Sequence, residues 1–517
     1  MTESEALPLA EQGNAGKLQR RLSLVFVLFG MAVRLAHYGS NRSLWIDESF
    51  LAANILNRSY GELLSRLDYE QVSPPLFLWL EKLCVQLLGN SEYSLRLLPL
   101  VASLVAMGLF YRLADRVSQG WVTPVAIALF AASPHVIYFA AEVKSYGVDI
   151  AIALVLFLAL WAAQSPLSRQ KSLQLGSLGA VCIWLSYPSV FMLAAMESVT
   201  LLQVPPKQLK TVLRDRAVMY GLWLSSFGAF YVLIIERTKT DLVDNWDSRF
   251  PNSWLDIGWI FDSLGRFFHE PLGFASYGDG AALIAFGLGG VWLYRRSHRL
   301  LAYLIAPLLV TLLAGYLHQY PFWERLVVFL VPFPLVLIAV GIVGLTAQLQ
   351  RRRYGVGWVG LLMLILLVFT PVSAATQKLL HPEQFLFQHV RPVIEHIRAN
   401  WQPSDRLFVF SKAKSQFIYY SQRYGFAAAD YEVASFEARL PQLDEFNTES
   451  LAAYRVAMDR LLLELEPLRG QPRVWLLLAR DRLGTAGALI TDLDHHLGQR
   501  LDIVSAPESI GLLYDMR

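Results

Sequence analysis

Long apolar runs alternate with short polar segments over the first 375 residues of the chain. A helix needs about 17–25 predominantly apolar residues to cross a bilayer. Most of the runs approach or exceed that length, so the pattern predicts a mainly α fold, a polytopic transmembrane helix bundle. The runs cover residues 22–38, 94–114, 121–140, 146–163, 175–202, 217–235, 280–295, 300–317, 323–346 and 356–375.

Basic clusters between the runs predict the topology, because cytoplasmic loops of membrane proteins carry an excess of Lys and Arg. All the clusters fit one side only if residues 175–202 cross twice, as two short helices hinged near Tyr187-Pro188, which gives about 11 segments. Each half is short for a span, so a re-entrant pair fits equally well. The clusters are Lys17/Arg20/Arg21, Arg112/Arg116, Arg169/Lys171, Lys207/Lys210/Arg214/Arg216, Arg295/Arg296/Arg299 and Arg351/Arg352/Arg353.

This topology divides the chain into a cytoplasmic N-terminal tail, residues 1–21, and a transmembrane domain, residues 22–375. Its outer loops are expected to be residues 39–93, 141–146, 236–279 and 316–324. Loops 39–93 and 236–279 are far longer than the few residues that connect most elements. Because long loops often carry function, the functional residues are expected on the outer face.

Residues 376–517 have a different composition. They hold 16 Lys/Arg and 18 Asp/Glu, so about one residue in four is charged, as in a soluble domain, against about one in seven before them. The pattern predicts a C-terminal extracytoplasmic α/β domain. Its strands are expected near 406–411, 473–479, 502–505 and 511–514, and its helices near 383–399, 448–466 and 484–497.

Composition excludes several classes of function. A charged fraction of 17% and a hydrophobic fraction of 55% exclude a single soluble enzyme, and a net charge of +3 does not indicate a nucleic-acid partner. The two cysteines, Cys84 and Cys182, form neither a disulfide framework nor a CxxC metal site. No Walker or GxGxxG pattern follows a predicted strand. An outward-facing enzyme would indeed lack cytosolic nucleotide sugars and ATP.

An ordered set of motifs runs along the predicted outer face. The motifs are Arg34, Leu44-Trp45-Ile46-Asp47-Glu48, Pro74-Pro75-Leu76-Phe77, Ser94-Leu95-Arg96-Leu97, Ser133-Pro134, Glu142-Val143-Lys144-Ser145-Tyr146, and Tyr320-Pro321-Phe322 followed by Arg325 and Pro332. Their order resembles the C-type glycosyltransferases over residues 20–420. More narrowly, it resembles the family-39-like group of protein O-mannosyltransferases and bacterial aminoarabinose transferases.

The resemblance implies an integral membrane enzyme that takes a sugar from a polyprenyl-phosphate carrier. Such enzymes transfer the sugar, usually with inversion, to a lipid, glycan or protein acceptor on the outer face, here expected to be that of a bacterial inner membrane. No cofactor is firmly predicted and no metal ligand is assigned. A divalent cation is compatible, because some C-type relatives use one and others do not.

Displacement at an anomeric carbon needs a carboxylate that accepts the proton of the acceptor hydroxyl. We predict Asp47 as this general base, with Glu48 orienting the acceptor or tuning Asp47, since adjacent desolvated carboxylates do not both ionise cheaply. The alternative is that the two residues are an acidic pair at a helix N-terminus, which the helix dipole favours.

The leaving phosphate needs cations. Arg325, Lys144 and Tyr146 are predicted to bind the donor phosphate, and Glu142 and Arg34 to bind substrate. The alternatives are interfacial anchoring for the turn around Lys144 and snorkelling for the two arginines. Lys144 and Ser73 depart from the family pattern, which has Arg and His there, so Lys144 offers a point charge without the guanidinium fork.

Two other functions compete with glycosyl transfer. A polytopic transporter or lipid flippase would also be a helix bundle with intramembrane charges, but the sequence shows no inverted repeats or paired broken helices. A membrane-anchored scaffold would leave the acidic pair and the long first loop unexplained.

Overall fold

The computed structural model describes residues 9–118, 120–163, 166–238, 244–274, 277–349, 354–435, 448–479 and 483–517. The chain is mainly helical over these ranges and carries a five-stranded sheet near its C-terminus. It divides into two units, one of Met1–Gly39 and Arg58–Pro382, the other of Ser40–Asn57 and Glu383–Arg517. The predicted cluster Arg351/Arg352/Arg353 lies outside the described residues.

The α-helices are numbered here in chain order. Those that begin before residue 203 are α1 (Leu9–Gly39), α2 (Ile46–Asn57), α3 (Pro75–Leu88), α4 (Glu92–Val117), α5 (Val122–Ala132), α6 (Pro134–Tyr138), α7 (Tyr146–Trp161), α8 (Arg169–Leu185) and α9 (Ser189–Leu202). The later ones are α10 (Leu209–Phe230), α11 (Ile257–His269), α12 (Tyr277–Tyr316), α13 (Pro332–Thr346), α14 (Tyr354–Leu364), α15 (Thr370–Leu380), α16 (Val390–Ala399), α17 (Lys414–Ser421), α18 (Thr448–Leu465) and α19 (Leu483–Leu497).

Within the described residues, five helices are long and apolar enough to cross a membrane, or up to seven if each of two bent pairs is one span. The predicted hinge near Tyr187-Pro188 is confirmed, because α8 ends at Leu185 and α9 begins at Ser189. The predicted segments 280–295 and 300–317 both lie in α12, which is non-helical at Ser297 (φ −159°, ψ 89°). The count of about 11 segments stays a prediction.

Close helix packing in the larger unit depends on small residues. A Cβ on Gly341 would lie 2.0 Å from the Ala285 carbonyl oxygen, and one on Gly289 would lie 1.9 Å from the Leu337 carbonyl oxygen. Both positions therefore require glycine where α12 meets α13, as is common between membrane helices.

A buried ion pair joins three helices of the same unit. Arg216 of α10 donates to the Glu197 carboxylate of α9 at 2.7 Å and to the Ala163 carbonyl oxygen, just after α7, at 2.8 Å. Tyr220 donates to the second Glu197 oxygen at 2.7 Å. The partners expected for a carboxylate within an apolar run are thus present.

The smaller unit is built on a mixed sheet. Its strands are β1 (Arg406–Val409), β2 (Tyr431–Val433), β3 (Val474–Ala479), β4 (Gln499–Ala506) and β5 (Ser509–Asp515), in the order β2-β1-β3-β5-β4. β1 pairs parallel with β2 and β3, whereas β5 pairs antiparallel with β3 and β4. Apolar residues of α18 and α19 pack with one face of the sheet.

The predicted α/β fold of this domain is confirmed within the described residues, with two additions. Sequence reasoning missed the three-residue strand β2 and the helix α17. It also placed residues 40–57 with the bundle loops, whereas the structure packs them with the C-terminal residues in one unit.

Candidate functional site

The two acidic residues predicted to act in catalysis, Asp47 and Glu48, lie in the first turn of α2. The helix begins at Ile46, so Asp47 and Glu48 are its second and third residues. The Glu48 carboxylate accepts a hydrogen bond from the Trp45 backbone N–H at 3.2 Å, which satisfies one of the N-terminal donors that a helix leaves unpaired. An acidic pair at a helix N-terminus thus describes the local structure. The catalytic roles of both residues stay predictions.

Glu48 also forms a buried ion pair. Arg42 Nη2 lies 3.1 Å from Glu48 Oε2, and the two side chains are 1% and 0% exposed. The Arg42 guanidinium stacks on the Phe387 ring at 4.0 Å. A carboxylate this deeply buried needs a cation to stay charged. Asp47 differs, because its side chain is half-buried and solvent reaches it.

The other predicted site residues belong to the larger unit. Glu142, Lys144 and Tyr146 form the turn that leads into α7, and the Lys144 N–H donates to the Glu142 carbonyl oxygen at 2.7 Å. Lys144 Nζ donates to Gln71 Oε1 at 2.6 Å while its side chain is 9% exposed. This hydrogen bond joins the first long loop, residues 39–93, to the turn before α7.

Arg325 lies in a short 3₁₀-helix, Glu324–Leu330, that packs against α7. Tyr146 is the first residue of α7, so the elements carrying two predicted phosphate-binding residues are in contact. Trp323, two residues before Arg325, has the guanidinium groups of Arg249 and Arg266 at 3.8 and 3.9 Å from its ring centroid. Arg249 and Arg266 of the second long loop therefore lie next to the segment that carries Arg325.

Two half-buried tyrosines that sequence reasoning left without a role connect these segments. Tyr187, at the hinge between α8 and α9, donates to the Ser73 carbonyl oxygen at 3.1 Å. Tyr320 donates to the Leu326 carbonyl oxygen at 2.8 Å. Burial raises the pKa of Tyr320, and the nearby Asp149, Tyr146 and Tyr187 raise it further. The motifs Tyr187-Pro188 and Tyr320-Pro321 were the sequence signal for both positions.

Arg34 lies inside the helix bundle. Its guanidinium donates to Ser103 Oγ at 2.9 Å and to the carbonyl oxygens of Gly30, Ala131 and Phe130 at 2.8, 3.2 and 3.3 Å. The residue is 0% exposed, so it does not snorkel to the surface. These bonds join α1 to α4 and α5. The predicted contact of Arg34 with substrate stays a prediction.

Metal binding is not indicated by clustered side chains in the part of the chain that the structure describes, where no group of three His, Cys, Asp or Glu is placed to hold an ion. The divalent cation therefore stays a compatible expectation without assigned ligands.

Comparison with known proteins supports the resemblance. Residues 72–231, just under a third of the chain, match the family described as dolichyl-phosphate-mannose-protein mannosyltransferase. This match confirms the resemblance to the C-type glycosyltransferases that the ordered motifs indicate. No curated protein matches the chain by sequence.

Three solved structures are similar at low identity. ArnT from Cupriavidus metallidurans bound to undecaprenyl phosphate matches with 11% identity and a TM-score of 0.47, over 95% of this chain and 97% of that one. Its apo state matches with 12% identity and a TM-score of 0.48, over 94% and 97%. The Archaeoglobus fulgidus oligosaccharyltransferase, in complex with Zn and sulfate, matches with 11% identity and a TM-score of 0.49, over 88% and 67%.

Proposed function

We propose that this protein is a membrane glycosyltransferase that moves a sugar from a polyprenyl-phosphate-linked donor to a lipid, glycan or protein acceptor on the outer face of the membrane. The family match over residues 72–231 carries the proposal. That range includes the turn with Glu142, Lys144 and Tyr146, and the Lys144 side chain of this turn donates a hydrogen bond to Gln71, just before the matched range.

The proposed reaction is an inverting displacement. Asp47 accepts the proton of the acceptor hydroxyl as its oxygen forms a bond to the anomeric carbon. The bond between that carbon and the phosphate oxygen breaks, and the phosphate leaves on its lipid as an anion. Lys144 and Arg325 stabilise this charge and Tyr146 donates to it. Arg325 can bind a phosphate through two donors, whereas Lys144 acts as a point charge.

The proposed location is a bacterial inner membrane, with about 11 segments and an extracytoplasmic C-terminal domain. Five helices long and apolar enough to span a bilayer, or up to seven, support the membrane location. The basic clusters between apolar runs support the orientation.

Substitution of the proposed base tests the function. Membranes containing the wild type or Asp47→Asn would be given dolichyl-phosphate mannose or polyprenyl-phosphate aminoarabinose, with envelope membranes of a deletion strain as acceptor. We expect transfer by the wild type, at least a hundredfold loss in Asp47→Asn, and no loss in Asp262→Asn, which removes an exposed aspartate of another outer loop. Full activity of Asp47→Asn would exclude it as the base. Movement of labelled lipid without sugar transfer would favour a flippase.

A further inference from the structure

The segment that carries Asp47 is held by the C-terminal domain, and we propose that this domain positions the general base. The clamp consists of His389, Arg391, Gln416 and Tyr420. The proposal rests on the proposed function for the role of Asp47. It assigns to the C-terminal domain a part in catalysis, as a support that fixes the base.

The clamp binds backbone groups directly before α2. Leu44 N–H donates to Tyr420 Oη at 3.0 Å, and Gln416 Nε2 donates to the Leu44 carbonyl oxygen at 2.7 Å. The backbone N–H and C=O of Leu44 are therefore both hydrogen-bonded to side chains more than 370 residues later in the chain. Leu44 is three residues before Asp47, so these bonds fix where α2 begins.

A second set of bonds holds the preceding residues. Ser43 N–H donates to His389 Nδ1 at 3.0 Å, and Ser43 Oγ accepts a bond from the Arg391 N–H at 2.9 Å. Arg391 Nη2 donates to the Asn41 carbonyl oxygen at 2.9 Å. His389 is itself fixed, because its N–H donates to the Pro507 carbonyl oxygen in the β4–β5 turn at 2.8 Å.

Burial makes these bonds hard to exchange for water. Ser43, Leu44, Gln416 and Tyr420 are all 0% exposed. Leaving a buried donor without its acceptor costs more free energy than the hydrogen bond itself contributes. The segment therefore has one favoured register on the domain. Helix α2 also packs against α17, which carries Gln416 and Tyr420. The clamp and the helix packing together leave the first turn of α2 little freedom.

A general base must be held close to its productive geometry, and a displacement of about 1 Å can cost roughly a hundredfold in rate. The clamp residues are therefore positioning residues, which act through α2. Loosening the clamp should lower kcat and leave the donor KM nearly unchanged, because the predicted donor-binding residues belong to the other unit.

Matched tyrosine variants test the clamp in the full-length protein. Tyr420→Phe removes the acceptor for Leu44 N–H, whereas Tyr514→Phe removes an equally buried hydroxyl whose partner is Asp494 within the same domain. We expect Tyr420→Phe to lower kcat at least tenfold with a donor KM within twofold of wild type, and Tyr514→Phe to change neither by more than twofold. Equal kinetics of the two variants would overturn the proposal.

Two substitutions of His389 test whether keeping an acceptor for Ser43 N–H preserves activity. Asn places its amide oxygen where His389 has Nδ1, so His389→Asn keeps an acceptor for Ser43 N–H, whereas His389→Gln does not. We expect His389→Asn to retain at least five times the kcat of His389→Gln. Equal losses in the two, with a raised donor KM, would indicate a merely structural role and count against the clamp.

Hydrogen–deuterium exchange of residues 40–57 separates failure of the clamp from failure of the proposed function. This readout needs no substrate, and exchange of β1 and β3 reports whether the domain is folded. Tyr420→Phe should speed exchange of the segment at least tenfold, while Tyr514→Phe should not. Equal exchange would overturn the clamp even if sugar transfer is confirmed. Absence of transfer in the wild type would overturn the function, and the exchange result would then decide the clamp alone.

Discussion

Replacing Glu48 with Gln should destabilise the attachment of residues 40–57 to the C-terminal domain. The change removes the negative charge of the Arg42–Glu48 pair, whose side chains are 1% and 0% exposed. Gln retains an oxygen that can accept the hydrogen bond from Trp45 N–H. The main effect is therefore the loss of the Glu48 counter-charge from Arg42 in a site closed to water.

Removing one partner of a buried ion pair typically costs about 3–5 kcal/mol. We expect a value near the lower end, about 3 kcal/mol, because the Arg42 guanidinium keeps its stacking on Phe387. Hydrogen exchange of the segment should then accelerate about a hundredfold, since about 1.4 kcal/mol corresponds to a factor of ten. The control is Glu466→Gln, which breaks an exposed pair with Arg469 and should cost less than about 1 kcal/mol.

The double variant Arg42→Met/Glu48→Gln tests the cause. It removes both charges of the pair, so slow exchange should return, as when apolar residues replace a buried pair. If the double variant exchanges as fast as Glu48→Gln, the lost counter-charge of Arg42 is not the reason. The kcat of sugar transfer then decides the role of Glu48. If kcat recovers in the double variant, the role of Glu48 is structural. If kcat stays low, Glu48 also orients the acceptor.

The remaining predictions concern donor binding, helix joining and pH. Arg325→Ala and Lys144→Met should each raise the donor KM about tenfold by removing a charge-assisted bond to phosphate, whereas Lys144→Arg should not. Initial rates measured at varied donor concentration test this. An unchanged donor KM in the first two variants would contradict the phosphate role. Glu197→Gln should lower the thermal midpoint, because it leaves Arg216 buried without its counter-charge, and should leave the donor KM unchanged. A hydrogen bond from His396 at 2.8 Å lowers the pKa of Asp502, so its contribution to stability is present above about pH 4, the ordinary carboxyl range, and is lost as the pH falls through its lowered pKa. The melting-temperature advantage of wild type over Asp502→Asn should shrink below about pH 4, and a constant difference would contradict this assignment.

Charge and length together predicted the break between α8 and α9, directly after which Pro188 precedes the first residue of α9. The breaks at Pro134 and Pro332 were missed, because each proline lies inside an apolar run, 121–140 or 323–346, that was taken as one segment. The strands β3 and β5 are nearly continuous apolar runs, which is what a buried strand requires. Strand β2 was missed because three residues with half-buried and exposed side chains carry no periodic signal.

Long-range attachment could not be predicted in the same way. Residues 40–57 lie between the apolar runs 22–38 and 94–114, so their position favours a loop of the bundle. Their partners His389, Gln416 and Tyr420 are polar residues without a motif, and they bind backbone groups that every sequence possesses. Such contacts leave no trace in composition or spacing. The role proposed for the C-terminal domain therefore depends on the structure.

The acidic pair shows how structure divides two residues that sequence treats alike. Consecutive residues of a helix point about 100° apart, so Asp47 and Glu48 cannot both face the buried guanidinium of Arg42. Glu48 faces it, and its carboxylate accepts hydrogen bonds from Arg42 and the Trp45 N–H. Its side chain is 0% exposed, so the carboxylate is closed to an acceptor hydroxyl. Asp47 is half-buried and open to solvent, which favours it over Glu48 as the base.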